Sequence, residues 1–268
     1  MAAALSALGA ESQALPASAL PRLRGAILIF IKTSRLPDLV RARRAGNLLV
    51  LDVHDTPCFK RRLKNARLFH GMLFRNRRQL ADFGSARRRD VVIHHQWDPR
   101  YQPHAAGETE LKAVYLGIRR SLGLWEKIPG VTFLGEDAFG EGAAGAAGSA
   151  DVFARAREFN AHLSLRETHR EQLYKPGSKV ATAAACGAVL LTTPDESARE
   201  MLGPDYPYYT DATLPSVLDG LERLRGTLGG PEWRQALSLL AAVRERTTIE
   251  RIAQDYLDYG RRLEELTG

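Results

Sequence analysis

The chain has little cysteine: two residues in 268, Cys58 and Cys186. Two thiols cannot build a disulfide framework, and in a reducing compartment each acts as a small hydrophobe. Long apolar runs are also missing. The strings Ala26 to Ile31 and Ala181 to Leu191 are too short or too mixed for the ~18 residues of a membrane-spanning helix. The Ala-rich first twenty residues carry Glu11 and no basic start, so they do not read as a secretory signal. There is no Walker A loop, no His-Glu metal pattern and no nucleophile elbow. The seven histidines are scattered, with no Cys-His spacing for zinc. A cytoplasmic protein without a metal centre is expected.

Acidic residues are scarce in one stretch. Lys60 to Arg89 holds 11 basic residues and a single acid, Asp82. Residues 1–100 carry a net +12 and residues 101–268 a net −5. A basic half serves nucleic acid, anionic lipid or an acidic acceptor, or is simply a solvated face. The basic stretch contains only Phe69, Phe74 and Phe83 as aromatics, too few for a base-stacking platform, so nucleic acid is not the expected partner. An anionic membrane surface met through residues 60–89 is the expectation kept.

Hydrophobic residues make up 44% and charged residues 26%, an ordinary globular balance. The length suits one large or two small domains. The apolar run Gly25–Ile31 predicts a strand buried on both faces. Strands are also predicted at Leu48–Val53, Arg67–Met72 and Arg89–His94, with helices at Pro37–Ala45, Cys58–Asn65 and Arg75–Phe83. Asp98–Thr109, with Pro99, Pro103 and Gly107, reads as a linker. A second alternating series follows. Its strands are predicted at Lys112–Gly117, Val131–Leu134, Asn160–Leu165 and Ala188–Thr192. Its helices are predicted at Ile118–Leu124, Asp151–Phe159, Ser178–Cys186, Leu214–Arg225 and Pro231–Arg246. This alternation implies α/β architecture with parallel sheets. Thr247-x-x-Glu250 has the form of a capping box, and Ile249, Ile252, Tyr256, Tyr259, Leu263 and Leu266 then make one apolar stripe.

Gly140-x-Gly142-x-x-Gly145 matches a dinucleotide fingerprint in letters only. It lies in a Gly/Ala tract, several residues after the preceding strand, and so lacks the strand-to-helix turn the mechanism needs. Four other places carry chemistry, and a fifth, His94-His95, is set aside. Asp52-Val-His54-Asp55 ends a strand, where a parallel sheet collects ligands; the plain alternative is a loop-capping Asp with a surface His. His94-His95 is a poor joint ligand set, because neighbours on an extended chain point to opposite sides. Arg119-Arg120 follows the first strand of the second series. Arg166 to Lys179 leads into a helix of tiny residues and sets Lys175, Ser178 and Lys179 around its N-terminus. The helix dipole repels lysine there, and a bound diphosphate would remove the conflict; the plain alternative is a solvated basic turn. After the next strand, Thr192-Thr-Pro-Asp-Glu196-Ser197 offers Asp195 or Ser197 as a helix cap.

Together these segments resemble the GT-B glycosyltransferases. The carriers are Leu49-Val-Leu-Asp-Val-His-Asp55, Val92-Ile-His-His-Gln-Trp-Asp-Pro-Arg-Tyr101, Ala150-Asp-Val-Phe153 with His162-Leu-Ser164, and Lys175-Pro-x-x-Lys179 running through Gly187 to Ser197. The resemblance spans roughly residues 25 to 265. It implies two Rossmann-like domains facing across a cleft: 20–103 on the acceptor side, 108–246 for the nucleotide-sugar, and a helix at 247–268 returning to the first domain. It implies transfer of a sugar from a nucleotide-diphospho-sugar, a co-substrate rather than a cofactor. The acceptor would be a glycan or lipid-linked molecule in bacterial surface polysaccharide synthesis. No metal is implied. His54 and Asp55 would face the transferred sugar. Arg119, Lys175 and Lys179 would steady the leaving diphosphate, with Gly177, Ser178, Glu196 and Ser197 completing the donor site. Two features depart from the family pattern. Lys175 and Thr182 or Ala183 stand where many retaining members have a Glu-x7-Glu pair, and the first domain is shortened at its N-terminus. A non-catalytic or subunit-dependent binding module and a nucleotide-sugar epimerase are the alternative functions.

Overall fold

The structure, a computed structural model, describes residues 1–31, 35–54, 63–103, 109–117, 128–135, 152–166 and 174–265. The expected helix at 118–124, the Gly-rich tract at 140–148, Cys58, Asp55 and Arg119 lie outside these residues. The chain divides into two compact units. Unit 1 comprises Met1–His95, Leu173–Pro176 and Ile249–Gly268, and unit 2 comprises Gln96–Gln172 and Gly177–Thr248.

Unit 1 holds a parallel sheet whose strands follow chain order: β1 Ile27–Ile31, β2 Leu48–Asp52, β3 Gly71–Phe74 and β4 Val91–Val92. Helices α2, Leu36–Arg44, and α3, Arg77–Phe83, lie between strands; a short helix α1, Ala2–Ala7, precedes them. The two-residue period of a strand sorts the core. Leu49, Leu51, Met72 and Phe74 pack with Leu39 and Ala42 of α2. Val50, Leu73 and Ile93 pack instead with Ile252, Tyr259 and Leu263 of the last helix, Ile249–Glu264.

That last helix is tied down by a buried polar cluster. Arg75, just ahead of α3, pairs with Asp52 at the end of β2 and donates to Tyr256 Oη at 3.1 Å and to the Ile93 carbonyl at 3.0 Å. Burial opposes the guanidinium charge, but the Tyr256 and Asp52 oxygens outweigh it and hold its pKa above the ordinary value. Tyr259 Oη donates to the Arg89 carbonyl at 2.6 Å.

Unit 2 holds β5 Ala113–Leu116, β6 Val131–Leu134, β7 Ala161–Ser164 and β8 Val189–Thr192, all parallel, in the order β6-β5-β7-β8. A short helix at 152–156 precedes β7. Four helices follow: α4 Ser178–Cys186, α5 Glu196–Leu202, α6 Leu214–Gly226 and α7 Pro231–Arg246. The last helix of unit 1 is α8. The small residues of α4 let it lie close on its neighbours: Ala181, Ala183, Ala184, Ala185 and Cys186 are buried. Gly187 ends α4 in the left-handed conformation, φ +62. Asn160 pins the start of the sheet by accepting from Lys112 N and donating to the Glu110 carbonyl.

Several expectations from sequence need correction. The run ending at Ile31 is not buried on both faces. Among the described residues β1 is an edge strand, with Ile29 37% and Ile31 62% exposed. Arg67 and Leu68 belong to a 3-10 turn rather than to β3, because the Arg43 guanidinium takes both of their carbonyls. β4 shrinks to two residues. Thr247 is no N-cap: its hydroxyl donates back to the Val243 carbonyl at the end of α7. The chain passes into unit 2 at Gln96, ahead of the Pro-containing segment. Trp97 fixes that point, since its backbone N–H and indole N–H donate to the Thr247 and Arg244 carbonyls.

Gly71 gives a direct test of how α8 sits on its sheet. A Cβ there would collide with Tyr259 Oη and the Arg89 carbonyl. Gly71→Ala should therefore cost about 1–3 kcal/mol, read as a lower denaturant midpoint with an unchanged slope. An unaltered midpoint would mean that α8 is not seated as described.

Candidate functional site

In unit 2 the strand order reverses beside β5, and at such a switch point the carboxyl ends of parallel strands open a crevice. A cavity of about 240 Å³ lies there, lined by Tyr101, Leu116, Gly117, His162, Ser178, Lys179 and Thr182 among others. Gly117 ends β5 with φ +140, a conformation that favours glycine. A Cβ at Gly117 would stand 3.7 Å from Lys179 Nζ, so the missing side chain leaves that side of the ammonium open.

Lys179 is the second residue of α4, and its Nζ lies 3.5 Å from the centre of the Tyr115 ring. Burial, and then the nearby Arg166, push its pKa well below the ordinary lysine value. The ring's negative face offsets part of that cost. So three features oppose the charge, namely burial, Arg166 and the helix dipole, and one favours it.

The loops after β7 and β8 are stitched together around this point. Thr192 Oγ1 donates to the Ser164 carbonyl, and Arg166 N donates to Thr193 Oγ1. The Arg166 guanidinium pairs with Asp195 at 3.1 Å. Asp195 also caps α5, accepting from Ala198 N at 2.9 Å. The first turn of α5 meets that of α4: a Cβ on Gly177 would collide with Met201 Sδ and lie 3.5 Å from Ser197 Cβ. Glycine at 177 thus has a packing reason of its own. Ser197 is buried, Glu196 half-buried and Ser178 exposed.

Lys175 belongs to a short segment of unit 1. Its carbonyl and that of Tyr174 accept from Asn76 and Gln79 of α3, and Tyr174 Oη donates to Asp82. Lys175 and Lys179, four positions apart in sequence, thus fall in different units.

At the carboxyl edge of the unit 1 sheet, the Asp52 carboxylate is paired with Arg75. His54 follows with φ +34, a strained backbone for a residue other than glycine, and its N–H donates to Asp52 Oδ1. Its Nδ1 lies 3.0 Å from Nε2 of His95, with the rings edge-on at 4.6 Å. Sequence reading missed the His54–His95 pair and the Tyr115–Lys179 contact. The alternation of β5, which sets Tyr115 two places before Gly117, was the one available hint.

A larger cavity, about 650 Å³, lies in unit 1 beside Ser85, Arg88, Arg89, Tyr259 and Arg262. It sits at the amino end of β4, the edge opposite to the one where parallel strands gather ligands, and Arg88 there is already paired with Asp90. Among the described residues, no group of three or more His, Cys, Asp or Glu side chains is placed to hold a metal. No helix among them is long and apolar enough to cross a membrane.

Two parallel α/β units of this kind make up the GT-B fold, and the chain has that fold. Its structure is similar to sucrose-phosphate synthase from Thermosynechococcus elongatus, with TM-score 0.57 and 12% identity over 90% of this chain and 74% of that one. It is similar to HepE from Anabaena, solved with UDP and glucose, with TM-score 0.58 and 14% identity over 86% and 76%. It is also similar to a UDP-forming trehalose-phosphate synthase from Burkholderia xenovorans, with TM-score 0.61 and 12% identity over 91% and 75%. No protein-family model and no curated protein sequence matches the chain.

The charge conflict at Lys179 predicts how the ligand-free protein responds to pH. The folded state releases this proton at lower pH than the unfolded chain, whose lysine titrates near 10.5. Stability should then rise with pH from the lowered value up to about 10.5. Lys179→Met should melt a few degrees higher than the parent at neutral pH, and the two should converge above that window. A Met variant that is less stable at pH 7 would show that the ammonium is well accommodated as it stands.

Proposed function

We propose that this chain is a glycosyltransferase that moves a sugar from a nucleotide-diphospho-sugar to a glycan or lipid-linked acceptor in bacterial surface polysaccharide synthesis. One observation carries the reading: a lysine held against the N-terminus of α4 at the switch-point cavity of unit 2. A diphosphate there would turn the repulsion among dipole, Arg166 and Lys179 into attraction. Solved neighbours with this fold include a complex with UDP and glucose and a UDP-forming synthase, which makes a uridine nucleotide the first donor to test.

Transfer breaks the bond between the anomeric carbon and the diphosphate oxygen, and negative charge grows on the leaving nucleoside diphosphate. Lys179 and the backbone N–H groups at Gly177 and Ser178 are assigned to that charge. Arg119 and Lys175 add positive charge, and Glu196 and Ser197 complete the donor side. On unit 1, His54, braced by His95, and Asp55 are assigned to the transferred sugar. The reading uses these cations in place of a metal. It places the protein at the cytoplasmic face of the membrane, with the basic residues 60–89 toward anionic lipid.

Calorimetry with UDP tests the donor site. A charge-assisted hydrogen bond contributes about 1.5–3 kcal/mol, so Lys179→Ala should weaken binding roughly 10- to 100-fold. Binding by the parent should take up protons and weaken as pH rises through the lowered lysine pKa. Equal affinity in parent and variant would move the donor site elsewhere.

A further inference from the structure

Every large hydrophobic residue exposed among the described residues falls between Leu8 and Leu36, and three of the five, Ile29, Ile31 and Leu36, lie on β1 or just after it. β1 pairs with β2 through all five of its residues and has no strand on its other side among the described residues. A parallel strand aims alternate N–H and C=O groups outward, so that side carries an open row of backbone donors and acceptors. The usual defences of an edge are missing: Ile27–Ile31 contains no proline and no charge, and its register has no bulge.

The cover along one face of β1 also runs out. A Cβ on Gly260 of α8 would lie 3.2 Å from Ile27 Cδ1, so the helix crosses directly over Ile27. Two and four positions further on the same face, exposure rises to 37% at Ile29 and 62% at Ile31. The two sheets differ in the matching respect. Unit 2 has strands on both sides of its first strand, β5, and so has a switch point, whereas the unit 1 sheet runs in one direction from β1 to β4.

We propose that the outer edge of β1 is a docking edge for a strand of a partner polypeptide, one with aliphatic residues on one face and acidic residues at its ends. The added strand would satisfy the open backbone row, cover Ile29 and Ile31 and create in unit 1 the reversal of strand order that unit 2 already has. Charge selects the partner. From Arg22 to Arg35 the chain carries Arg22, Arg24, Lys32 and Arg35 and no acid. Two copies pairing edge to edge about a twofold axis would run antiparallel and bring the Arg22–Arg24 end of each beside the Arg35 end of the other. Like charges meet in that arrangement, and acidic flanks reverse it. The surface stands independently of the donor site. Its functional consequence, a partner strand added beside the sugar-facing half, rests on the glycosyltransferase reading.

The test uses the full chain and a labelled peptide, acetyl-Asp-Glu-Val-Thr-Val-Thr-Val-Glu-Asp-amide, followed by fluorescence anisotropy. Saturable binding is expected. N-methylating alternate peptide nitrogens, or replacing the four acids by lysine, should each weaken it at least tenfold. Ile31→Ser, at an exposed position, should weaken it at least fivefold and leave both the melting midpoint and UDP affinity unchanged. UDP affinity is measured in the same samples, so loss of the donor site and loss of the edge are seen separately. Four results would overturn the proposal: no saturable binding, equal binding of the N-methylated peptide, a dimer in light scattering that Ile31→Ser disperses, or flotation with anionic phosphatidylserine vesicles that Ile31→Ser abolishes. The last two would assign the edge to a second copy or to a membrane.

Discussion

A buried guanidinium organises unit 1. An isolated charge in a protein interior costs several kcal/mol, so Arg75 can sit where it does only with partners for its charge. It finds them on three elements: the Asp52 carboxylate at the end of β2, the Ile93 carbonyl after β4 and the Tyr256 hydroxyl on α8, 181 positions away in sequence. Its Nε has no hydrogen-bond partner among the described residues. The ion pair joins the end of β2 to the residue after β3, and Tyr256 ties α8 to it. It sets which end of the sheet α8 crosses and holds the strand end from which His54 departs.

Unit 2 meets the opposite problem. Its core joins large rings to small side chains: Trp233, Tyr115 and Tyr208 are fully enclosed, as are the alanines of α4. One set of its polar groups lies at the carboxyl edge, where backbone groups leave the ladder. Thr192, Thr193, Arg166 and Asp195 satisfy one another there, and Lys179 is the cation set against a dipole and a neighbouring arginine. A rigid frame around a frustrated charge is what an anion site needs, because the frame holds the cation in place before the ligand arrives.

Local chemistry made much of the secondary structure legible. α4 and α7 run over the same residues in sequence and structure, because Gly187 and Pro231 act within a turn of where they stand. Asp195 caps α5 for the same reason. The reading failed where a distant group took over a local one. Arg43 removed Arg67 and Leu68 from β3, and the close of α7 claimed Thr247. It failed at β1 for a different reason. An apolar run reports that a segment wants burial, whereas its position in the sheet decides whether burial is available.

The sequence by itself determined the alternation of strands and helices, the parallel sense of the sheets, the charge asymmetry and the presence of lysines around a helix start. These depend on periods of two and 3.6 residues and on caps, all of which act over a few positions. Only the tertiary structure decided that His54 leans on His95, 41 positions away, that Asp52 is paired with Arg75, and that Lys179 lies over Tyr115 beside Arg166. The first two contacts join the ends of different strands, and the third joins the start of a helix to a strand. Strand order and register fix which ends come together, and neither is written in any local window of the chain.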